Sequence, residues 1–199
     1  PPEALSGVTH IDGGNSQMCA ISSAGVECWG SNNYGVLNVP STLVQPTDLS
    51  SNTAHNCVID GTTVQCWGDN RFGQSNARFN LLNPIDVATG GAFPNTSETG
   101  HTCVADDAGV QCWGNSDDGV LNVPSGLDSV IDLHAGWGVS CALQSNGAVD
   151  CWGDLEGATL TQVINIGGVT QLEGYNSKVC SRNENLIKCG SGAGALLLK

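Results

Sequence analysis

The sequence predicts an all-β chain built from five copies of one unit arranged in a closed ring. Three observations carry this reading. Ten cysteines fall into five pairs, each nine or ten positions apart: Cys19 with Cys28, Cys57 with Cys66, Cys103 with Cys112, Cys141 with Cys151, and Cys180 with Cys189. The first cysteines of successive pairs are 38, 46, 38 and 39 residues apart, a period that marks stacked or radially arranged repeats. From Cys180 through the C-terminus and on from Pro1 to Cys19 the distance is again 38, so the ends meet in register. They also agree in type, since "GALLL" near the C-terminus matches "GVLNV", and "PPEALSGVTHI" matches "VPSTLVQPTDL" and "VPSGLDSVIDL". An open solenoid would need atypical capping repeats, so a ring and a single domain over residues 1–199 are expected.

Within repeat one, "CAISSAGVEC" reads as a hairpin with its turn near Ser23 and Ala24, setting Cys19 opposite Cys28 and Ile21 opposite Val26. Repeat two sets Ile59 opposite Val64, and repeat three Ala105 opposite Val110. Repeat four has one more residue, in "CALQSNGAVDC", which "SNG" absorbs as a longer turn, and repeat five brings Cys180 and Cys189. Directly opposed positions have the separation a disulfide needs, so one cross-strand bond is expected in each hairpin. Zinc is the rival use of cysteine, but structural zinc sites usually bring two ligands within two to four residues. Glycines, polar turns and the lack of a sustained helical period complete the all-β reading.

Six Lys and Arg against 19 Asp and Glu give a net charge of -13. Such a chain repels nucleic-acid backbones and anionic membranes. No apolar run reaches the roughly 18 residues of a membrane span, so no membrane insertion is expected. Five disulfides point to an oxidising setting, that is, an extracellular, cell-surface or periplasmic protein. There is no signal peptide or charged targeting stretch, and Pro1 is read as a processed end or a boundary.

The run Cys-Trp-Gly, one residue, Asn, two residues, Gly resembles the regulator-of-chromosome-condensation repeat, a propeller-blade family. Trp29, Gly30, Asn32 and Gly35 carry it, then Trp67, Gly68, Asn70, Gly73 and Gln74, then Trp113, Gly114 and Gly119 with Ser116 in the Asn place. "GHTCV" from Gly100 and "AHNCV" from Ala54 match the element upstream. Repeat four keeps Trp152 and Gly153 but has Leu155 in the Asn place, and repeat five has no Trp. The resemblance implies a β-propeller, here of five blades where family members commonly close seven. The short disulfide-bearing repeats are most similar to an extracellular bacterial branch that includes secreted β-lactamase inhibitors. The nuclear member's exchange activity and chromatin binding do not carry over, because this chain has no basic arm.

No phosphate loop, nucleophile elbow or His-Glu zinc helix is present, and neither an enzyme nor a cofactor is expected. His55 and His101 share one repeat column with Gln17, Val139 and Lys178, as a blade-packing position would. His10 and His134 receive no role. Asp69, Asp117, Asp118, Asp154 and Glu156 gather after Trp-Gly, but without the ordered spacing of a calcium loop, so they read as solvated turns and no metal site is expected. Trp29, Trp67, Trp113 and Trp152 recur at one place and read as inter-blade packing. Trp137 breaks that pattern.

The residue before the loop glycine varies as a binding surface does: Tyr34, Phe72, Asp118, Glu156 and Ala193. The insertion of about eight residues after repeat two adds Phe79 and Phe93, and Asn95 starts a glycosylation sequon. The candidate ligand-binding set is thus Tyr34, Phe72, Asp118, Glu156, Trp137, Phe79 and Phe93. The expected function is recognition of an extracellular protein, including a role in cell adhesion, through the rim of a ring. A lectin binding glycan at repeated sites and a substrate-docking domain of an extracellular enzyme are the alternatives.

Overall fold

The computed structural model describes residues 4–91, 100–154, 166–175, 178–191 and 194–198. They form five antiparallel sheets in which strand order follows the sequence. The first holds β1 (His10–Gly13), β2 (Gln17–Ser22) and β3 (Gly25–Gly30), and the second β4 (Pro46–Ser51), β5 (His55–Asp60) and β6 (Thr63–Gly68). The third holds β7 (Asp86–Gly90), β8 (His101–Asp106) and β9 (Gly109–Gly114), and the fourth β10 (Val130–Ala135), β11 (Val139–Gln144) and β12 (Val149–Gly153). The fifth has β13 (Gln171–Tyr175), β14 (Lys178–Arg182), β15 (Ile187–Ser191) and an added edge strand, β16 (Gly194–Leu198).

Each cysteine hairpin has the expected register, with Cys19 opposite Cys28, Ile21 opposite Val26, Ile59 opposite Val64 and Ala105 opposite Val110. All five pairs are disulfide-bonded. The extra residue of the fourth hairpin goes into its turn, where Gly147 has φ +80° and its N–H bonds the Gln144 carbonyl. A strand precedes every hairpin and pairs with its first arm, so each unit is a propeller-type blade whose innermost strand is β1, β4, β7, β10 or β13.

Packing between blades repeats as regularly as the sequence does. Trp67 joins Cys19, Ile21, Leu49 and Val58 between blades one and two. Trp113 closes the same cluster on Cys57, Ile59 and Val64, and Trp152 on Cys103, Ala105 and Leu133. Blade five brings Leu172 and Val179 against Cys141, Leu143 and Val149. A clasp ties the outer parts of successive blades. The Val36 carbonyl, one residue past the loop glycine, accepts from Trp67 Nε1 at 2.7 Å and Asn56 Nδ2 at 2.8 Å. Gln74 O accepts from Trp113 Nε1 at 3.0 Å and Thr102 Oγ1 at 2.9 Å, and Val120 O from Trp152 Nε1 at 2.7 Å.

Near the axis, carboxylates make the equivalent tie. Asp48 accepts from the Val87 N–H, Asp86 from Leu133 and Asp132 from Leu172, each one blade on, while Asp12 accepts from Ser51. All five innermost strands border one cavity of about 290 Å³.

Four junctions carry an apolar cluster among the described residues, and the seam between blades five and one carries none. Trp29 therefore departs from the expected core position: it is partly exposed, whereas Trp67, Trp113 and Trp152 are buried, because among the described residues no apolar cluster forms on it.

Candidate functional site

The short loops that follow β3, β6 and β9, and the turns between β1 and β2, β4 and β5, and β10 and β11, emerge at one end of the blades. The hairpin turns emerge at the other. Asparagine frames the first set of loops: Asn32 Oδ1 accepts the Leu37 N–H at 2.8 Å while its Nδ2 donates to Asn38, and Asn70 does the same with Ser75 and Asn76. The result is a tight turn, and in the first and third of these loops the residue before the glycine takes an unusual backbone. Tyr34 has φ +63° and Asp118 φ +62°. Side chains disfavour this left-handed conformation by about 1–2 kcal/mol. Burial offsets the strain at neither position, since Tyr34 is 41% exposed and Asp118 is also exposed.

Phe72 stands in the next loop, 43% exposed. Its neighbour Arg71 was not foreseen from the sequence. Arg71 Cζ stands 6.0 Å from the Phe72 ring centre. Its guanidinium grips Asp69 in a fork, Nε to Oδ1 at 3.0 Å and Nη2 to Oδ2 at 2.9 Å. Burial would raise the Asp69 carboxyl, but the hydrogen bonds and charge of Arg71 hold it below its ordinary range. Asp69 is thus a buried, paired loop anchor and not the solvated turn expected, because the loop folds Arg71 and Gln74 onto it. Tyr34 also interacts electrostatically with Arg71, which places it near the second loop. The legible signal was a cation beside an aromatic in a chain with six Lys and Arg.

Asp118 lies over the Gly138 backbone, where a Cβ would stand 3.0 Å from its Oδ2. That brings it beside half-buried Trp137, which also borders the axial cavity. Tyr34, Arg71, Phe72, Asp118 and Trp137 therefore share one rim. Phe79 does not join them. It is 66% exposed at a groove of about 540 Å³ near the hairpin turn of blade two, with Val44, Thr42, Asp60 and Gln65. The insertion falls between β7 and β8 in the sequence and lies outside the described residues, so Phe79 sits in an ordinary inter-blade connection. Glu156, Phe93, Ala193 and Asn95 lie outside the described residues.

His55 and His101 occupy the packing position expected of them, fully out of solvent. Thr102 gives its hydroxyl proton to Gln74 O, so it accepts from His55 Nε2 at 2.9 Å. His55 Nδ1 accepts from Asn52 Nδ2 at 3.1 Å, leaving a neutral ring with both nitrogens satisfied. Burial lowers its pKa to about 4 and that of His101, which bonds Ser140, to about 3. His134 is lowered to about 4, also by burial, and its Nε2 has no partner.

Around the cavity the shifts run the other way. Burial, Glu173 and Asp48 push Asp12 up to about 6 against the hydrogen bonds from Ser51 and Gly13. Burial also raises Asp86 and Asp132. Among the described residues no three of these groups are arranged to hold a metal ion.

No family model matches the chain, and no curated protein matches it. Solved structures do. The ectodomain of the Physcomitrella patens receptor kinase CR4 superposes with a TM-score of 0.72 at 24% identity, over 92% of this chain and 50% of that one. Human WBSCR16 gives 0.70 at 17% identity, over 92% and 61%. Prp20p from Saccharomyces cerevisiae, the yeast RCC1, gives 0.68 at 14% identity, over 92% and 57%, and was studied for its binding to Gsp1p and histones. These likenesses show an RCC1-like propeller fold. This chain spans half to about three fifths of the lengths of these three proteins.

Proposed function

We propose that this chain is a non-enzymatic recognition module that binds a protein partner through the rim bearing Tyr34, Arg71, Phe72, Asp118 and Trp137. The observation that carries the reading is Tyr34. An exposed aromatic residue is held in a strained backbone that neither burial nor any described hydrogen bond of its side chain offsets, and such uncompensated strain gathers at functional sites. Phe72 and Arg71 stand on the neighbouring loop, and exposed aromatics beside arginine are the chemistry of protein hot spots. The use of related propellers as a receptor ectodomain and in binding Gsp1p and histones supports the same reading. The disulfide in every blade supports an extracytoplasmic setting. The axial cavity that all five innermost strands border supports a closed five-bladed ring.

The test is affinity capture on the immobilised oxidised chain from extracts of its native surroundings, with Tyr34→Ser/Phe72→Ser and Val44→Ser/Phe79→Ser variants in parallel. A protein retained by the native chain and the groove variant, and lost from the rim variant, is the expected result. Retention insensitive to the rim change would remove this reading. Saturable binding on a glycan array, lost in the same rim variant, would replace it with a lectin.

A further inference from the structure

Blade one carries half of a clasp whose other half is not against it. In β1, Ile11 occupies the position of Leu49, Val87, Leu133 and Leu172, as the pairing of each with the middle strand shows. Those four are 3–7% exposed and Ile11 is 59% exposed. Trp29 occupies the position of Trp67, Trp113 and Trp152. Their indole N–H groups reach the carbonyls of Val36, Gln74 and Val120, while that of Trp29 meets no acceptor among the described residues. The unpartnered face is therefore a template of known shape: an apolar wall with one donor, built to take the residue that follows a loop glycine.

That residue recurs after the loop glycine of repeat five. Gly194 stands where Gly35, Gly73 and Gly119 stand, so Ala195 takes the place of Val36, Gln74 and Val120. Backbone geometry agrees. In blade two the segment past Gln74 returns along the outer strand, where Arg78 and Val64 exchange two backbone hydrogen bonds at 2.8 and 3.0 Å. In blade five β16 returns along β15 in the same sense, pairing Leu198 with Ile187, the counterpart of Val64 two residues before the second cysteine. β16 is thus the fifth copy of the clasp segment, and as an edge strand it has carbonyls that β15 does not use. The two flanks also stand near one another at the axis, since β1 and β13 border the same cavity and the Glu173 carboxylate acts on Asp12.

We infer that β16 is the latch of the ring: the Ala195 carbonyl accepts the Trp29 indole N–H, and the segment Gly194–Leu198 covers Ile11 and Trp29. This rests on the closed five-bladed reading above and names the contact that makes it. Occupation of the Trp29 face by a second copy of the chain is the competing arrangement.

Hydrogen exchange of the indole N–H groups, followed by NMR with Trp29 assigned through Trp29→Phe, tests the latch. Three chains are compared across a concentration series: the native chain, one ending at Ser191, and Ala195→Asp, which would bury a charge in the clasp. The expected result is a Trp29 indole protected in the native monomer and exchanging at least about tenfold faster in both variants, with Trp67, Trp113 and Trp152 unchanged as reporters of an intact arc. Protection that survives both changes would overturn the latch and leave the closed ring standing. A Trp29 indole that exchanges freely in the native chain would overturn both. Protection that rises with concentration together with a doubled mass would assign the face to a second copy and overturn the latch.

Discussion

Replacing Asp12 by asparagine converts the electrostatics of the axial cavity into a measurable slope. The carboxyl has a pKa of about 6 where 3.8 is ordinary, chiefly because burial removes water from it and Glu173 and Asp48 repel its charge. The folded chain thus keeps a proton that the unfolded chain has released between these two values. Stability from this group is full below pH 3.8, falls as pH rises, and levels off above pH 6. The gap between the two values corresponds to about 3 kcal/mol. An amide in this place cannot ionise and escapes that loss, but its single oxygen replaces two carboxylate oxygens that accept from Ser51 at 2.7 Å and Gly13 at 2.8 Å. One bond is forfeited, at a cost of about 1 kcal/mol. Asp12→Asn is therefore expected to be about 1 kcal/mol less stable than the native chain at about pH 3.5 and about 2 kcal/mol more stable at about pH 7, the curves crossing in between. Urea unfolding of both oxidised chains from about pH 3.5 to 8 at constant ionic strength reads this directly. A difference that does not change with pH, or one that favours the variant more at acid pH, would refute the account of the cavity.

Three further outcomes are expected. His55→Gln should flatten the acid side of the profile: a buried neutral histidine with a pKa near 4 confers stability present above pH 6.5 and lost as pH falls toward 4, about 3 kcal/mol, seen in the same titrations. Trp152→Phe should destabilise about 1 kcal/mol more than Trp67→Phe, because Val36 O keeps Asn56 as a second donor while no other described donor reaches Val120 O; thermal or urea unfolding compares them. Removing one staple with Cys57→Ser/Cys66→Ser should cost about 3 kcal/mol for a loop of about ten residues, as a lower urea midpoint.

The hairpins were legible because opposed cysteines and an alternating pattern leave one register that buries the right face. The innermost strands were not, although "TDL" and "IDL" recur before two of the hairpins. Their carboxylates look like solvated charge in sequence, and only the neighbouring blade shows that Asp48, Asp86 and Asp132 cap its backbone. For the rim, a variable column next to a loop glycine identified Tyr34, Phe72 and Asp118, yet Phe79 was assigned with them on the strength of an insertion that lies elsewhere. Nothing local could separate Phe79, since its distance from Tyr34 depends on which end of the blade each loop leaves.

What the sequence determined by itself is everything with a period: five units, one hairpin and one disulfide in each, and the residue types that alternate inward. These follow from local sterics and covalent geometry, which act within a repeat and so repeat with it. The tertiary structure decided what happens between repeats, namely that a carbonyl past the loop glycine meets the next tryptophan, that Arg71 closes on Asp69, and that carboxylates meet around one axis. Those contacts depend on the angle at which one blade packs on the next. That angle is set by side-chain volume across the junction, a property of pairs of repeats that no single repeat displays.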